Sequence, residues 1–318
     1  MNSFCARQMP LFDAYIFVDW SARNRKSPAR PSRDAIWIGE LERGSASEES
    51  YFRSRDEACS YLGQLLLHLK AKRFRVLLGF DFSYGYSRGF ARCLSTRDEK
   101  EPWLRVWETL DELVADKDDN SSNRFEVAAV LNRRIGGRRR GPFWGCPVSR
   151  RIPGLSPRSP GFPFAAQNKL VLNRLRMSEE RLSGVQESWK LLGVGSVGSQ
   201  ALLGVPRVHR LRHHAELSDC SKVWPFETGF TTAVTPAVGP FILHAEMWPG
   251  IVKDDVDVMM RSRKNVIRDQ AQLRCLCQWA ATKDREGELA RFFERPAGLT
   301  DEQVDVCIAE EGWILGAT

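Results

Sequence analysis

The sequence lacks acidic residues over its whole central stretch, since no Asp or Glu occurs between Glu126 and Glu179. That stretch nevertheless contains eleven Lys and Arg residues. Because the whole chain carries a formal charge of +7, the remainder of the molecule is left at −4. A pI near 9.1 permits an acidic partner such as nucleic acid without establishing one. The uneven distribution assigns the basic character to one segment of an otherwise mildly acidic protein.

Several sequence features of common protein classes are missing. No apolar run approaches the roughly 18 residues that span a bilayer, which excludes a transmembrane helix and argues against a membrane partner. The first ten residues show no apolar core or cleavage site, so we expect no secretory signal. The eight cysteines include no CxxC pair and the five histidines form no HExxH motif, so we expect no zinc site. We therefore expect reduced thiols and a cytoplasmic location.

The hydrophobic pattern predicts a mixed α/β sheet flanked by helices, in one domain that spans residues 1–318. β-Branched and aromatic runs are typical of buried strands, and apolar residues three or four apart are typical of helices. Strands before and between helices indicate an α/β fold. The predicted strands cover residues 14–19, 34–41, 50–53, 74–80, 222–227 and 241–248. The predicted helices cover residues 56–71, 102–115, 184–192 and 265–282, the last of them being the final helix of the chain.

The acid-free stretch is also rich in glycine and proline, which predicts a long surface excursion. We interpret residues 120–222 as a basic insertion that follows the fourth strand. Within it, Arg138, Arg139 and Arg140 are candidate substrate-binding residues, because the guanidinium fork matches phosphate oxygens and nearby aromatic rings can stack on bases. The alternative is a solvated insertion that has no partner.

Four acidic residues are candidates for catalysis and for metal binding. Asp19 ends the first strand, Asp81 follows the fourth, Glu246 lies near the end of the last strand, and Asp269 is on the last long helix. Carboxyl ends of neighbouring strands meet at one edge of a sheet, which is the usual ligand crevice of α/β folds. Each acid taken singly could instead be a turn or capping residue. Other acids compete for these roles: Glu227 with Glu246, and Asp254, Asp255 and Asp257 with Asp269.

A cluster of carboxylates has a direct chemical consequence. Three or four converging negative charges repel one another unless a cation neutralises them, and hard oxygen ligands favour Mg²⁺ or Mn²⁺. Two such ions can activate a water molecule and stabilise the leaving oxygen in phosphodiester cleavage. Asp19 and Asp81 are each followed by an aromatic residue and a serine, which makes Ser21 and Ser83 candidate substrate contacts.

These motifs together resemble the predicted nucleases of ribonuclease H-like fold, in the branch classed as a domain of unknown function. The resemblance rests on FVDWSA around Asp19, GFDFSYG around Asp81, AEMWPG around Glu246 and the helix that carries Asp269. It implies three antiparallel strands followed by parallel ones, with Asp19, Asp81, Glu246 and Asp269 as ligands of the metal. The long basic insertion departs from the minimal fold, and fold resemblance does not establish activity.

Residues 193–198 match the GxGxxG pattern but lack its usual context. Dinucleotide binding requires a preceding strand, whereas the residues before this loop have a helical pattern. We therefore favour a glycine turn that ends a helix. A further alternative is that Ser196, Ser199 and the loop amides bind a phosphate at the start of the next segment.

The sequence thus leads to three hypotheses about function. The first is a nuclease or phosphodiesterase that depends on Mg²⁺ or Mn²⁺ and acts on nucleic acid. The second is a non-catalytic nucleic-acid-binding protein of the same fold, whose affinity depends on the arginines at 138–140. The third is an enzyme acting on a small nucleotide or phosphorylated metabolite, linked to cofactor biosynthesis, that uses the glycine loop.

Overall fold

The centre of the molecule is a mixed sheet of seven strands with helices on both faces. The computed structural model describes residues 9–94, 100–137, 140–193, 195–263 and 265–318 of the 318-residue chain. Its strands are β1 (Ala14–Asp19), β2 (Ile36–Glu42), β3 (Glu48–Phe52), β4 (Arg75–Phe80), β5 (Phe164–Ala165), β6 (Val171–Leu172), β7 (Ser221–Val223), β8 (Phe241–Met247) and β9 (Ile314–Leu315). Its helices are α1 (Arg55–Ala71), α2 (Phe90–Leu94), α3 (Pro102–Leu113), α4 (Arg124–Gly136), α5 (Met177–Glu180), α6 (Val197–Arg212), α7 (Lys253–Ser262), α8 (Arg268–Arg285) and α9 (Asp301–Val306).

The strand order confirms a mixed α/β sheet. It runs β3-β2-β1-β4-β8-β7, with β9 beside β8, while β5 and β6 form a separate two-stranded ribbon. Neighbours within β1 to β3 are antiparallel, and β4, β8, β7 and β9 extend the sheet in parallel. Parallel pairing puts the carboxyl ends of β1, β4 and β8 at the same edge.

The two faces of the sheet pack against different helices because successive strand side chains point to opposite sides. On β1, Ile16 and Val18 belong to the core under α1, α3 and α6, which we call the α1 face. Tyr15 and Phe17 belong to the core under α8, which we call the α8 face. This alternation decides on which side of the sheet each strand-end carboxylate lies.

The segment at residues 120–222 contradicts the expectation of a surface excursion. Helices α4 and α6 bury most of their apolar residues, and Phe143 and Trp189 are at most 1% exposed within the α1-face core. Its glycines and prolines shape turns, but the apolar residues between them supply much of the covering of the sheet. The hydrophobic effect therefore folds this basic segment into the body of the protein.

The predicted helix at residues 184–192 is wrong because part of this segment pairs with a distant part of the chain. Trp144 instead forms an isolated parallel bridge with Lys190, in which the Trp144 amide donates to the Trp189 carbonyl at 3.1 Å. The amide of Leu191 donates back to the Trp144 carbonyl at 2.8 Å. Backbone pairing with a residue more than 40 positions away replaces the helix, and no local periodicity reports such a partner.

The remaining elements follow the predictions at different levels of accuracy. Strand β1 matches to the residue, and α1 begins one residue early behind Ser54, whose Oγ accepts the Glu57 amide at 3.3 Å. The expected strand at 222–227 shortens to β7, and α8 is followed by α9 and β9, so it is not the final helix. None of the helices within the described ranges is both long and apolar enough to cross a membrane.

Candidate active site at the carboxyl edge of the sheet

The structure brings Asp19, Asp81 and Asp269 together at the carboxyl edge, on the α8 face. Asp19 follows Phe17 by two positions on β1, and Asp81 follows Gly79 by two positions at the end of β4, so both continue the row that faces α8. Asp269 is in the first turn of α8. Two strand ends and one helix start thus supply three carboxylates to one place.

Asp34 is a fourth carboxylate of this cluster that the sequence reasoning missed. It precedes β2, whose antiparallel pairing sets Trp37 opposite Asp19. Its backbone is in the left-handed region with φ of 55°, and its amide donates to Asp269 Oδ2 at 2.9 Å. The hairpin between β1 and β2 was the available signal, because the start of the second strand lies beside the end of the first.

Two backbone amides hold the carboxylates in place. The Trp20 amide donates to Asp81 Oδ1 at 2.8 Å, and the Asp34 amide fixes Asp269 Oδ2. Each bond links a residue at one end of the sheet to a carboxylate from another element. Each of these two carboxylates also interacts with its own backbone amide.

The carboxylates raise one another's pKa values. Burial raises the pKa of Asp81 to about 7, with the charge of Asp269 adding to it, although the amide bonds act in the opposite direction. The pKa of Asp19 is raised well above its ordinary value by burial and then by the charges of Asp81, Asp269 and Asp34. Burial and the Asp34 charge likewise raise the pKa of Asp269. Crowded carboxylates of this kind are stabilised by added positive charge.

Glu246 lies apart from these three carboxylates. It pairs in register with Phe80, so it continues the α1-face row rather than the α8-face row. Its carboxylate forms a buried salt bridge with Arg176, whose Nη1 and Nη2 lie 2.8 and 2.5 Å from Oε2 and Oε1. Oε2 also accepts the Tyr84 amide at 2.9 Å. The geometry therefore gives Glu246 a structural ion pair in place of the expected position beside Asp19.

Ser83 and Glu227 are also engaged elsewhere. Ser83 is buried, donates to Glu179 Oε1 at 3.3 Å and accepts from Ser188 Oγ at 2.7 Å. Glu227 accepts two bonds from Arg212, at 2.7 and 2.6 Å. Neither side chain takes part in the carboxylate cluster.

A cleft of about 590 Å³ opens beside the carboxylates. Its acidic lining consists of Asp19, Asp34 and Asp269, and it also includes the predicted contact residues Ser21 and Ser196. Two cations, Arg23 and Arg124, line the same cleft. The cleft therefore combines carboxylates with guanidinium groups, which is the charge pattern that a phosphate ester bridged by a cation requires.

The three arginines expected to hold a phosphate do not supply this cationic lining. Arg138 and Arg139 lie outside the described residues. Arg140 is exposed and its Nη1 contacts Ser156 Oγ at 3.4 Å. The two cations in the cleft, Arg23 and Arg124, both precede the acid-free stretch, and Arg124 is the first residue of α4. No local sequence signal identifies it, because its position depends on how α4 packs against α6.

The glycine loop begins a helix and does not end one. Ser196 is the residue before α6, and its amide donates to the Gly193 carbonyl at 3.2 Å. Gly198 permits close approach to the preceding segment, since a Cβ there would lie 2.5 Å from the Ser188 carbonyl oxygen. The residues before the loop belong to no strand of the main sheet, which removes the context that dinucleotide binding needs.

The carboxylate cluster has suitable donors for a hard cation without being assembled as a ligand set. Within the described residues, no group of three or more His, Cys, Asp and Glu side chains is arranged to hold a metal ion. The donor chemistry fits, however, because carboxylate oxygens are hard ligands and the negative charges of these carboxylates repel one another. An ion would have to draw these side chains onto itself.

No family model, curated protein or solved structure matches this chain. What the coordinates define is an α/β protein with a mixed seven-stranded sheet and a cleft at its carboxyl edge. That cleft is lined by carboxylates and by arginines.

Proposed function

We propose that this protein is a divalent-metal-dependent nuclease of ribonuclease H-like architecture. The ligands of Mg²⁺ or Mn²⁺ would be Asp19, Asp81 and Asp269, with Asp34 beside them. Glu246 is left out of this set because Arg176 neutralises it on the other face of the sheet. The strand order β3-β2-β1-β4-β8, antiparallel and then parallel, supports the proposal because the resemblance to that family implies the same order of directions.

One observation carries the proposal. Carboxylates from β1, from the end of β4 and from the start of α8 meet on one face at the carboxyl edge, and burial together with neighbouring negative charge raises the pKa of Asp19 and Asp81. These carboxylates repel one another at the edge of an open cleft, where a salt bridge or a replacement by an amide side chain would have relieved the repulsion. Such strain is common where a site is built for a cationic partner.

The bound ion would supply activation of water and stabilisation of the leaving oxygen of a phosphodiester. The chain's own residues do the rest. The amides of Trp20 and Asp34 orient the carboxylates, and Arg124 and Arg23 give the cleft the positive charge that attracts the substrate backbone.

The test is cleavage of labelled single-stranded, duplex and RNA–DNA hybrid oligonucleotides with Mg²⁺, with Mn²⁺ and with EDTA. We expect cleavage by the wild type only with metal, and a loss of about 10³-fold or more in Asp19→Asn. Asp254→Asn is the matched control, since Asp254 is an exposed acid on α7. Absence of metal-dependent cleavage by the wild type, or equal cleavage by Asp19→Asn, contradicts the proposal.

A second candidate function is hydrolysis of a small nucleotide or phosphorylated metabolite. The cleft volume of about 590 Å³ favours it, because sites for small molecules fall in the range of about 300–1,000 Å³. Thermal-shift measurements separate the two candidates. Stabilisation by one nucleotide, with none by oligonucleotides, favours the small-molecule enzyme. Stabilisation by oligonucleotides that are never cleaved favours a non-catalytic binding protein.

A further inference from the structure

The cleft contains a buried arginine that has no counter-ion. Arg124 is 7% exposed, and its guanidinium donates from Nε to Ser199 Oγ at 3.1 Å. Its Nη1 donates to Asn24 Oδ1 at 2.9 Å and to Ser122 Oγ at 3.2 Å. All three acceptors are neutral, and no carboxylate of the described residues lies within salt-bridge distance. Nη2 makes no hydrogen bond within the described part of the chain.

A buried guanidinium with no carboxylate at salt-bridge distance is costly to fold, and an anionic ligand would offset that cost. Burial lowers the pKa of Arg124 to about 10, the charges of Arg55 and Arg150 add to that shift, and the more distant charges of Asp116 and Glu126 oppose it. The guanidinium therefore remains protonated at neutral pH. Other buried arginines of this protein are neutralised, as Arg55 is by Asp116 and Arg176 by Glu246. Arg124 differs from both in lining an open cleft.

A second cation in the cleft also has an unused donor. Arg23 lines the same cleft, and its Nη1 is buried without a hydrogen-bond partner in the described structure. Buried donors are paired in nearly all native structures, so an unmet guanidinium nitrogen indicates a missing acceptor. This observation is independent of the position of Arg124, and it also indicates an anionic ligand.

The start of α6 adds neutral donors to these two cations. Val197 and Ser199 line the cleft, and their amides find no acceptor among the described residues, whereas the Gly198 amide donates to the Lys190 carbonyl at 3.0 Å. Amides in the first turn of a helix favour anions. Ser199 links the two features directly, since its Oγ accepts from Arg124 and its amide lies in the first turn of α6.

We propose that Arg124, Arg23 and the first-turn amides of α6 form a phosphate-binding subsite in the same cleft as the carboxylates. The ligand is a phosphate monoester or diester of a nucleotide or of a single-stranded oligonucleotide. The subsite rests on the proposed function for its biological role, because it would hold a phosphate of the substrate next to the carboxylates. Its binding chemistry requires no metal, which makes the two ideas separable.

The experiment measures anion binding in EDTA with three probes. These are inorganic phosphate, AMP and a 5′-fluorescein-labelled ten-nucleotide single-stranded DNA. Binding of the first two is measured by thermal shift, and binding of the DNA by fluorescence anisotropy. We expect all three to bind the wild type. Arg124→Gln should weaken them about tenfold or more, because charge-assisted hydrogen bonds are lost, and should reduce the salt dependence of DNA binding by about one ion. Weakening of the DNA probe alone would assign the site to polynucleotide phosphates.

Two further variants keep the test decisive. Arg23→Gln removes the second cation without touching the bonds that anchor α4, so it reports on the subsite if Arg124→Gln fails to fold. Arg158→Gln is the matched control, since Arg158 is an exposed arginine of the acid-free stretch. The proposal is overturned if the wild type binds none of the probes in EDTA. It is also overturned if the folded cleft variants bind as the wild type does, or if Arg158→Gln loses as much affinity as they do.

The same samples distinguish this proposal from the proposed nuclease activity. Phosphate binding in EDTA that depends on Arg124, together with no cleavage in Mg²⁺ or Mn²⁺, leaves the subsite standing and removes the nuclease. If Arg124→Gln cleaves with the same turnover number and the same KM as the wild type, the subsite proposal is excluded and the nuclease proposal stands.

Discussion

Replacing Asp81 by Asn should stabilise the metal-free protein at neutral pH. Burial raises the pKa of Asp81 from 3.8 to about 7 in the folded state. Between those pH values the folded protein holds a proton that the unfolded chain has released, so stability falls as the pH rises through this window. At about 1.4 kcal/mol for each pH unit, the difference between 3.8 and about 7 corresponds to about 4 kcal/mol.

The Asn side chain removes the ionisable group but keeps an oxygen to accept the Trp20 amide, which Asp81 Oδ1 accepts at 2.8 Å. The assay is urea unfolding in EDTA at about pH 4, 6 and 8. We expect little difference between variant and wild type at pH 4 and a gain for Asp81→Asn of up to about 4 kcal/mol at pH 8.

The control for this prediction is Asp284→Asn. The Asp284 carboxylate accepts from the amides of Leu11 and Phe12 and from Tyr15 Oη, at 2.7, 2.9 and 2.6 Å. Its replacement should cost about 1–3 kcal/mol at pH 8, since a charged acceptor of three donors is lost. The reasoning fails if Asp81→Asn has the same effect on stability at pH 4 and at pH 8, or if it destabilises the protein at pH 8.

Three further predictions concern the packing and the buried charges. Gly79→Ala should lower the free energy of unfolding by about 1–3 kcal/mol, because its Cβ would lie 2.5 Å from the nearest side-chain atom. Gly63→Ala in α1 has nothing within 4 Å of its Cβ and should raise the free energy of unfolding by about 0.5–1 kcal/mol. Equal shifts of the melting temperature in the two variants would contradict the geometry. Burial lowers the pKa of His244 to about 3, so the folded protein lacks a proton that the unfolded chain binds below about pH 6.5. The wild type should therefore lose up to about 1.4 kcal/mol of unfolding free energy per pH unit through this group as the pH falls from about 6 to 4, and His244→Gln should abolish that loss. An unchanged slope of unfolding free energy against pH would refute this prediction. Glu246→Gln should destabilise the fold by about 3–5 kcal/mol, because Arg176 loses a charged partner. At a temperature where this variant is folded, its affinity for Mn²⁺ should stay within about twofold of that of the wild type.

The strands were the most predictable part of the fold. Residues 14–18 of β1 are all buried, and the apolar run ends at an acid, so its limits follow from composition alone. The residues before the glycine loop could not be assigned in the same way. Their conformation is fixed by pairing with Trp144, and long-range pairing is not encoded in local periodicity.

The candidate site was predictable where chain direction determines position. Strand ends that follow apolar runs gave Asp19 and Asp81, and the helix after the last long strand gave Asp269. Glu246 required the register between β4 and β8, whose residues are more than 160 positions apart, to show which face it occupies. Arg124 required the packing of α4 on α6, so only the folded structure placed it in the cleft.

The most direct test of the account is to titrate the metal-free protein with Mn²⁺ in an isothermal titration calorimeter. The central claim predicts saturable binding that is lost in Asp19→Asn and in Asp81→Asn and is retained in Asp254→Asn. Absence of Mn²⁺ binding to the wild type, or equal binding by Asp19→Asn, would contradict the claim that these carboxylates form a metal centre.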